Sequence, residues 1–152
     1  MITTTAYSEE EAEAIASAFQ AGTLTAAEWT HPAHLVVAAW YVHRHPFEEA
    51  VDLVRTGIHR YLDGIGKVTT DEDGYHETVT RFWLVQVRDH LAAHPEQDVL
   101  EATNALIASP EGLRDHTYTY YSPELLWSRE ARYGWVPPDR KELVTPWTSY
   151  RA

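Results

Sequence analysis

The chain has 152 residues, enough for one domain of ordinary size, and no linker marks a second. Apolar residues make up 44% and charged residues 23%, the balance of a folded globular protein and not of a disordered one. Twelve Lys plus Arg against 23 Asp plus Glu give a formal charge of −11, which excludes a general binder of nucleic-acid backbone.

Lys67 and Lys141 form no basic tract that would seek an anionic lipid surface. No apolar run approaches the roughly 18 residues of a membrane span. Without cysteine the chain has no disulfide, no thiolate metal site and no cysteine nucleophile. Its first ten residues are acidic and carry no targeting pattern, so a cytoplasmic location is the expectation. A homodimer is compatible with the sequence. Nine histidines, six tryptophans and nine tyrosines supply apolar bodies with polar or titratable tips, which favours a pocket for a small organic molecule.

The pattern is helical almost throughout. Ser8 and Glu11 have the spacing of a capping box, Ile15 and Phe19 follow on one face, and Gly22 ends the first helix. A short segment at residues 26–29 leads to His31-Pro32, where proline suits a first helical turn. Residues 32–43 are apolar on most sides, as expected of the buried central helix. Pro46 opens another helix, with Phe47, Val51, Val54, Ile58 and Tyr61 at helical spacing, and Gly64 and Gly66 stop it. An acidic loop precedes a long helix over residues 75–93, closed by Pro95. Val99, Leu100, Leu106 and Ile107 mark a fifth helix. Ser109-Pro110 and Ser122-Pro123 have the form of N-cap and N1 pairs, the second opening a helix to about Tyr133 with Gly134 as its C′ residue. Residues 117–121 are β-prone but have no partner strand. The expectation is an all-α, single-domain bundle of about five to seven helices, with its core at residues 8–135 and an extended tail at 136–152.

Three groups of polar residues stand out. His31 and His34 begin the most apolar helix, and a three-residue advance of about 300° leaves both imidazoles on nearly one side. Tyr75-His76-Glu77-Thr78 sits where the acidic loop enters the long helix, and a helix N-terminus favours neutral imidazole. His76, Thr80, Trp83, Val87 and His90 share one stripe, while Glu77 has Arg81 at i,i+4 as an alternative partner. Tyr118, Tyr120, Tyr121 and Ser122 precede Arg129 and Arg132, whose guanidinium groups, or that of Arg114, suit a substrate carboxylate; Glu124 and Glu130 are their competing partners. His43, His45, His59, His94 and His116 are expected to be exposed. Asp71-Glu72-Asp73-Gly74 lacks EF-hand spacing, and Gly64-Ile65-Gly66-Lys67 lacks that of a phosphate loop.

Residues 29–35 (Trp-Thr-His-Pro-Ala-His-Leu), 74–78 (Gly-Tyr-His-Glu-Thr) and the run from Tyr120-Tyr121-Ser122 through Leu125, Ser128 and Ala131-Arg132 to Trp135-Val136-Pro137-Pro138-Asp139 resemble a family of small uncharacterised bacterial proteins. The resemblance spans roughly residues 29–140. It groups these residues and carries no activity with it.

From these residues the first expectation is a small-molecule enzyme acting on a carboxylate-bearing metabolite. His31, His34 and His76 would ligate a divalent ion (iron, zinc, manganese or copper), with His76, Glu77 and Tyr120 catalytic and Arg129, Arg132, Tyr121 and Trp83 holding substrate. The alternatives are a metal-free lyase, cyclase or isomerase using His and Glu as acid and base, and a non-enzymatic ligand- or haem-binding or helical interaction module.

Overall fold

A computed structural model describes residues 6–143. The end of the expected tail, with Pro146 and Trp147, lies outside the described residues. Five longer helices come first: α1 (Glu9–Ala21), α2 (His31–Arg44), α3 (Phe47–Gly64), α4 (Glu77–Ala93) and α5 (Val99–Ala108). Two 3-10 turns (Pro110–Gly112 and Arg114–His116) and three short helices follow: α6 (Thr117–Tyr120), α7 (Pro123–Leu126) and α8 (Arg129–Tyr133). No strand occurs among the described residues, and the β-prone residues 117–121 form a helical turn instead.

The helix starts follow local chemistry. Ser8 and Glu11 make the expected reciprocal capping box. Thr30 caps α2 by accepting from Ala33 N at 3.3 Å, with Pro32 in the first turn. Asp98 caps α5 in the same way, accepting from Glu101 N at 2.8 Å. The long helix begins two residues later than the pattern predicts, because His76 serves as its N-cap, its ring accepting from Val79 N at 3.1 Å.

The expected single helix from Pro123 to Tyr133 is broken. Ser128 adopts φ −72°, ψ 159° and caps α8 by accepting from Ala131 N at 3.2 Å, while its own hydroxyl donates to Leu125 O at 2.7 Å. A serine that satisfies both sides of a break competes well with helix continuation. Gly134 is extended (φ −156°) and does not form the left-handed C′ turn.

Helix α2 is central, packed against α1, α3, α4 and α5. Leu35, Val37 and Ala33 within it are fully buried, as its all-round apolar sequence requires. Residues 134–143 lie along the bundle. Thr78 Oγ1 donates to Gly134 O at 2.7 Å and accepts from Val136 N at 3.1 Å, Tyr121 Oη donates to Val136 O at 2.7 Å, and Leu143 is buried. This part of the tail is thus a packed strap.

Gly57 faces Phe19 across the α1–α3 contact so closely that an added Cβ would overlap the Phe19 ring, which is only 1% exposed. Alanine should gain roughly 1 kcal/mol in helix propensity, yet overpacking typically costs about 1–3 kcal/mol. Gly57→Ala is therefore expected to lower stability in urea unfolding; an unchanged or raised midpoint would show that Phe19 has room to move.

Candidate functional site: a tethered histidine pair

The start of α2 brings His31 and His34 to one side, with ring centroids 6.5 Å apart. Each ring meets a backbone carbonyl through one nitrogen. His34 Nδ1 lies 2.7 Å from Thr30 O, and His31 Nε2 lies 2.9 Å from Gly112 O. A carbonyl oxygen can only accept, so each of these nitrogens carries the proton. In the neutral imidazole the opposite nitrogen, Nε2 of His34 and Nδ1 of His31, then holds a lone pair. Neither of those atoms has a hydrogen-bond partner among the described residues.

Neutrality is favoured by the surroundings. Burial lowers the pKa of His34 to about 4, opposed by its bond to Thr30 and assisted by the nearby His31 and Arg114 charges. Burial also lowers that of His31, with the Gly112 bond opposing and Arg114 assisting. Trp29 stacks on His34 at 3.7 Å between centroids, and Trp83, 6% exposed, stands edge-on to His31 at 4.8 Å.

The carbonyl that orients His31 depends on Gly112. A Cβ there would collide with the backbone oxygen of Leu106, so only glycine lets the 3-10 turn approach the end of α5 this closely. Arg114 and His116 follow on the next 3-10 turn. His116 is half-buried against Phe82, Trp83 and Tyr120, with ring centroids at 6.3, 6.4 and 5.5 Å, and burial lowers its pKa. Of the residues expected to act on substrate, Trp83 and Tyr120 therefore do lie along this surface. Tyr120 packs on Phe82 at 5.3 Å, and its hydroxyl has no hydrogen bond among the described residues.

His76 does not join the pair as a free ligand or base. Its Nε2–H donates to Leu126 O at 2.6 Å and its Nδ1 accepts from Val79 N, so both nitrogens are committed to backbone. Trp127 covers the ring edge-on at 5.3 Å. Among the described residues no three His, Asp or Glu side chains are gathered as a metal shell.

Glu77 is likewise engaged, but not chiefly by Arg81. Arg55 of α3 binds both carboxylate oxygens, Nε to Oε1 at 2.9 Å and Nη2 to Oε2 at 2.6 Å. Tyr75 Oη donates to Oε1 at 2.7 Å, and Arg81 Nη1 stands 3.8 Å from Oε2. Burial would raise the Glu77 pKa, but the Arg55 and Tyr75 hydrogen bonds hold it below the ordinary value. A carboxylate so fully bonded anchors α3 to the start of α4 and has little basicity to offer.

The arginines and the third tyrosine are also structural. Arg132, 4% exposed, donates to Asp71 O at 3.0 Å and Tyr75 O at 3.1 Å, fastening the acidic loop to α8. Arg129 is exposed and reaches Asp71 Oδ2 at 3.5 Å, not Glu124 or Glu130. Tyr121 is fully buried, with its hydroxyl on Val136 O. Of the histidines expected at the surface, His43 and His59 are exposed. His45 is half-buried beside Glu49, at 2.7 Å, and His94 is half-buried against His90.

No family model, curated protein or solved structure matches the chain.

Proposed function

We propose that the chain is a small-molecule enzyme performing acid–base chemistry on a carboxylate-bearing metabolite at His31 and His34. The observation that carries this reading is the pair of tethered imidazoles, each fixed through one N–H and presenting the opposite lone pair. Fixed tautomers and ring orientations are what general-base catalysis demands of histidine.

Arg114 is exposed and close enough for its charge to depress both imidazoles, which suits it to hold the substrate carboxylate. A bound carboxylate would offset that charge and so relieve the smallest of the influences that lower the two imidazole pKa values, burial remaining the largest. Tyr120 and His116, beside Trp83, supply groups for proton return.

The same tethering favours a second reading, in which the two lone pairs ligate a divalent ion, because ligating histidines are commonly oriented by carbonyls on their other nitrogen. Iron, zinc, manganese and copper all accept imidazole, and the remaining ligands would come from water or substrate.

A panel of small carboxylic acids, screened for turnover and for the rise in Tm that binding to the native state produces, tests the first reading. At least one acid should raise Tm and be converted, and His34→Gln and Arg114→Ala should each abolish conversion. If no acid stabilises the protein, or conversion survives both substitutions, the reading fails. Elemental analysis after reconstitution with each of the four metals separates the second: stoichiometric metal, lost from His31→Ala and His34→Ala, would replace the metal-free mechanism.

A further inference from the structure

Away from the histidine pair, α1, α2 and α5 border a cavity of about 380 Å³. That volume falls within the range that accommodates small organic ligands. Val36, Ala39 and Trp40 of α2 and Leu100 of α5 give it an apolar lining, while Glu9, Glu13 and Asp98 bring carboxylates to it from two helices. We propose that this cavity is a separate binding site for a small organic cation, an ammonium head carried on an apolar body.

Glu9 and Glu13 are one turn apart on α1 and share a face. Asp98 approaches from the start of α5, using Oδ1 to cap that helix. None of the three has an ion-pair partner among the described residues. With Arg44 as the one cationic side chain beside them among the described residues, the three carboxylates leave an excess of negative charge that a positively charged ligand would relieve.

The aromatic wall supplies the second, independent observation. The guanidinium carbon of Arg44 stands 3.4 Å above the centroid of the Trp40 ring, and Nη1 donates to Trp40 O at 3.2 Å. Arg44 reaches no carboxylate among the described residues. The indole thus already holds a delocalised cation on one face, the interaction by which aromatic walls recognise ammonium ligands. Three carboxylates against one guanidinium leave the lining negative, so it selects against anions. Its preference is opposite to that of the surface beside Arg114, and the two sites can be told apart by ligand charge.

Benzyltrimethylammonium, with 3-phenylpropanol and 3-phenylpropionate as neutral and anionic comparisons, provides the test on the full chain. Titration followed by NMR should give saturable one-to-one movement of the Trp40 indole N–H resonance, assigned with Trp40→Phe. The anion should give no saturation and the alcohol markedly weaker binding. Glu9→Gln/Glu13→Gln, at two exposed positions, should weaken the cation roughly fivefold or more. High ionic strength should weaken it in the wild type, a check that needs no variant. His34→Phe should leave it unchanged. Non-saturating shifts, equal binding of the alcohol, or affinity indifferent to salt or to the double substitution would each overturn the proposal.

Discussion

Arg55→Ala is expected to destabilise the protein by roughly 3 kcal/mol, the low end for breaking a buried ion pair because the Arg55 side chain is 33% exposed. The loss comes less from a missing attraction than from the carboxylate left behind. Glu77 is 9% exposed, and without Arg55 it retains only the Tyr75 hydroxyl and the more distant Arg81. A double-mutant cycle in urea with Glu77→Gln makes the point measurable. Removing the charge together with Arg55 should cost distinctly less than the sum of the single effects, whereas additivity within about 0.5 kcal/mol would show the two residues to be uncoupled.

Acid is expected to weaken the fold well above the carboxylate range. The ordinary histidine pKa of 6.5 applies to the unfolded chain, while folded His34 sits at about 4. Between those values the unfolded state binds the extra proton, so stability is retained above about pH 6.5 and lost as pH falls toward 4. His34 alone contributes on the order of 2 kcal/mol to that loss, after allowance for its partial exposure. Burial gives His31, His76, His90 and His116 shifts of the same sign. Urea midpoints measured from pH 7 to pH 4 should fall steeply, and His34→Phe, which keeps a ring on Trp29, should flatten the dependence by up to one proton. Identical slopes for wild type and variant would contradict the burial of His34.

The helices are legible in the sequence because their signals are local. Ser8 with Glu11, Thr30 with Pro32, and the apolar run of α2 need no distant partner to be interpreted. The break at Ser128 escapes the same reading because serine is tolerable within a helix, and only its simultaneous bonds to Leu125 and Ala131 expose it as a cap. His76 is concealed in a similar way. Histidine is not a usual N-cap, and the Leu126 carbonyl that takes its other nitrogen lies 50 residues away.

The candidate site shows the same division. Helical spacing suffices to place His31 and His34 together, but their tautomers depend on Thr30, four residues back, and on Gly112, 81 residues on. Arg55 gives no local hint of its partner, since Glu77 follows 22 residues later on another helix. Arg132 resembles a substrate anchor in sequence because a guanidinium facing backbone carbonyls and one facing a ligand carboxylate have the same local pattern. His116 is inconspicuous within a polar turn, and Arg114 is only one of three candidate guanidinium groups, until the turn folds over Trp83.

The state of the His34 ring tests the account most directly. Long-range ¹H–¹⁵N correlation spectra of imidazole-labelled protein, followed through a pH titration, report both tautomer and pKa. His34 should hold its proton on Nδ1, leave Nε2 unprotonated at neutral pH and titrate near 4, while His31 shows the opposite tautomer. A proton on His34 Nε2, or titration near the ordinary value of 6.5, would contradict the lone-pair geometry on which the proposed chemistry stands.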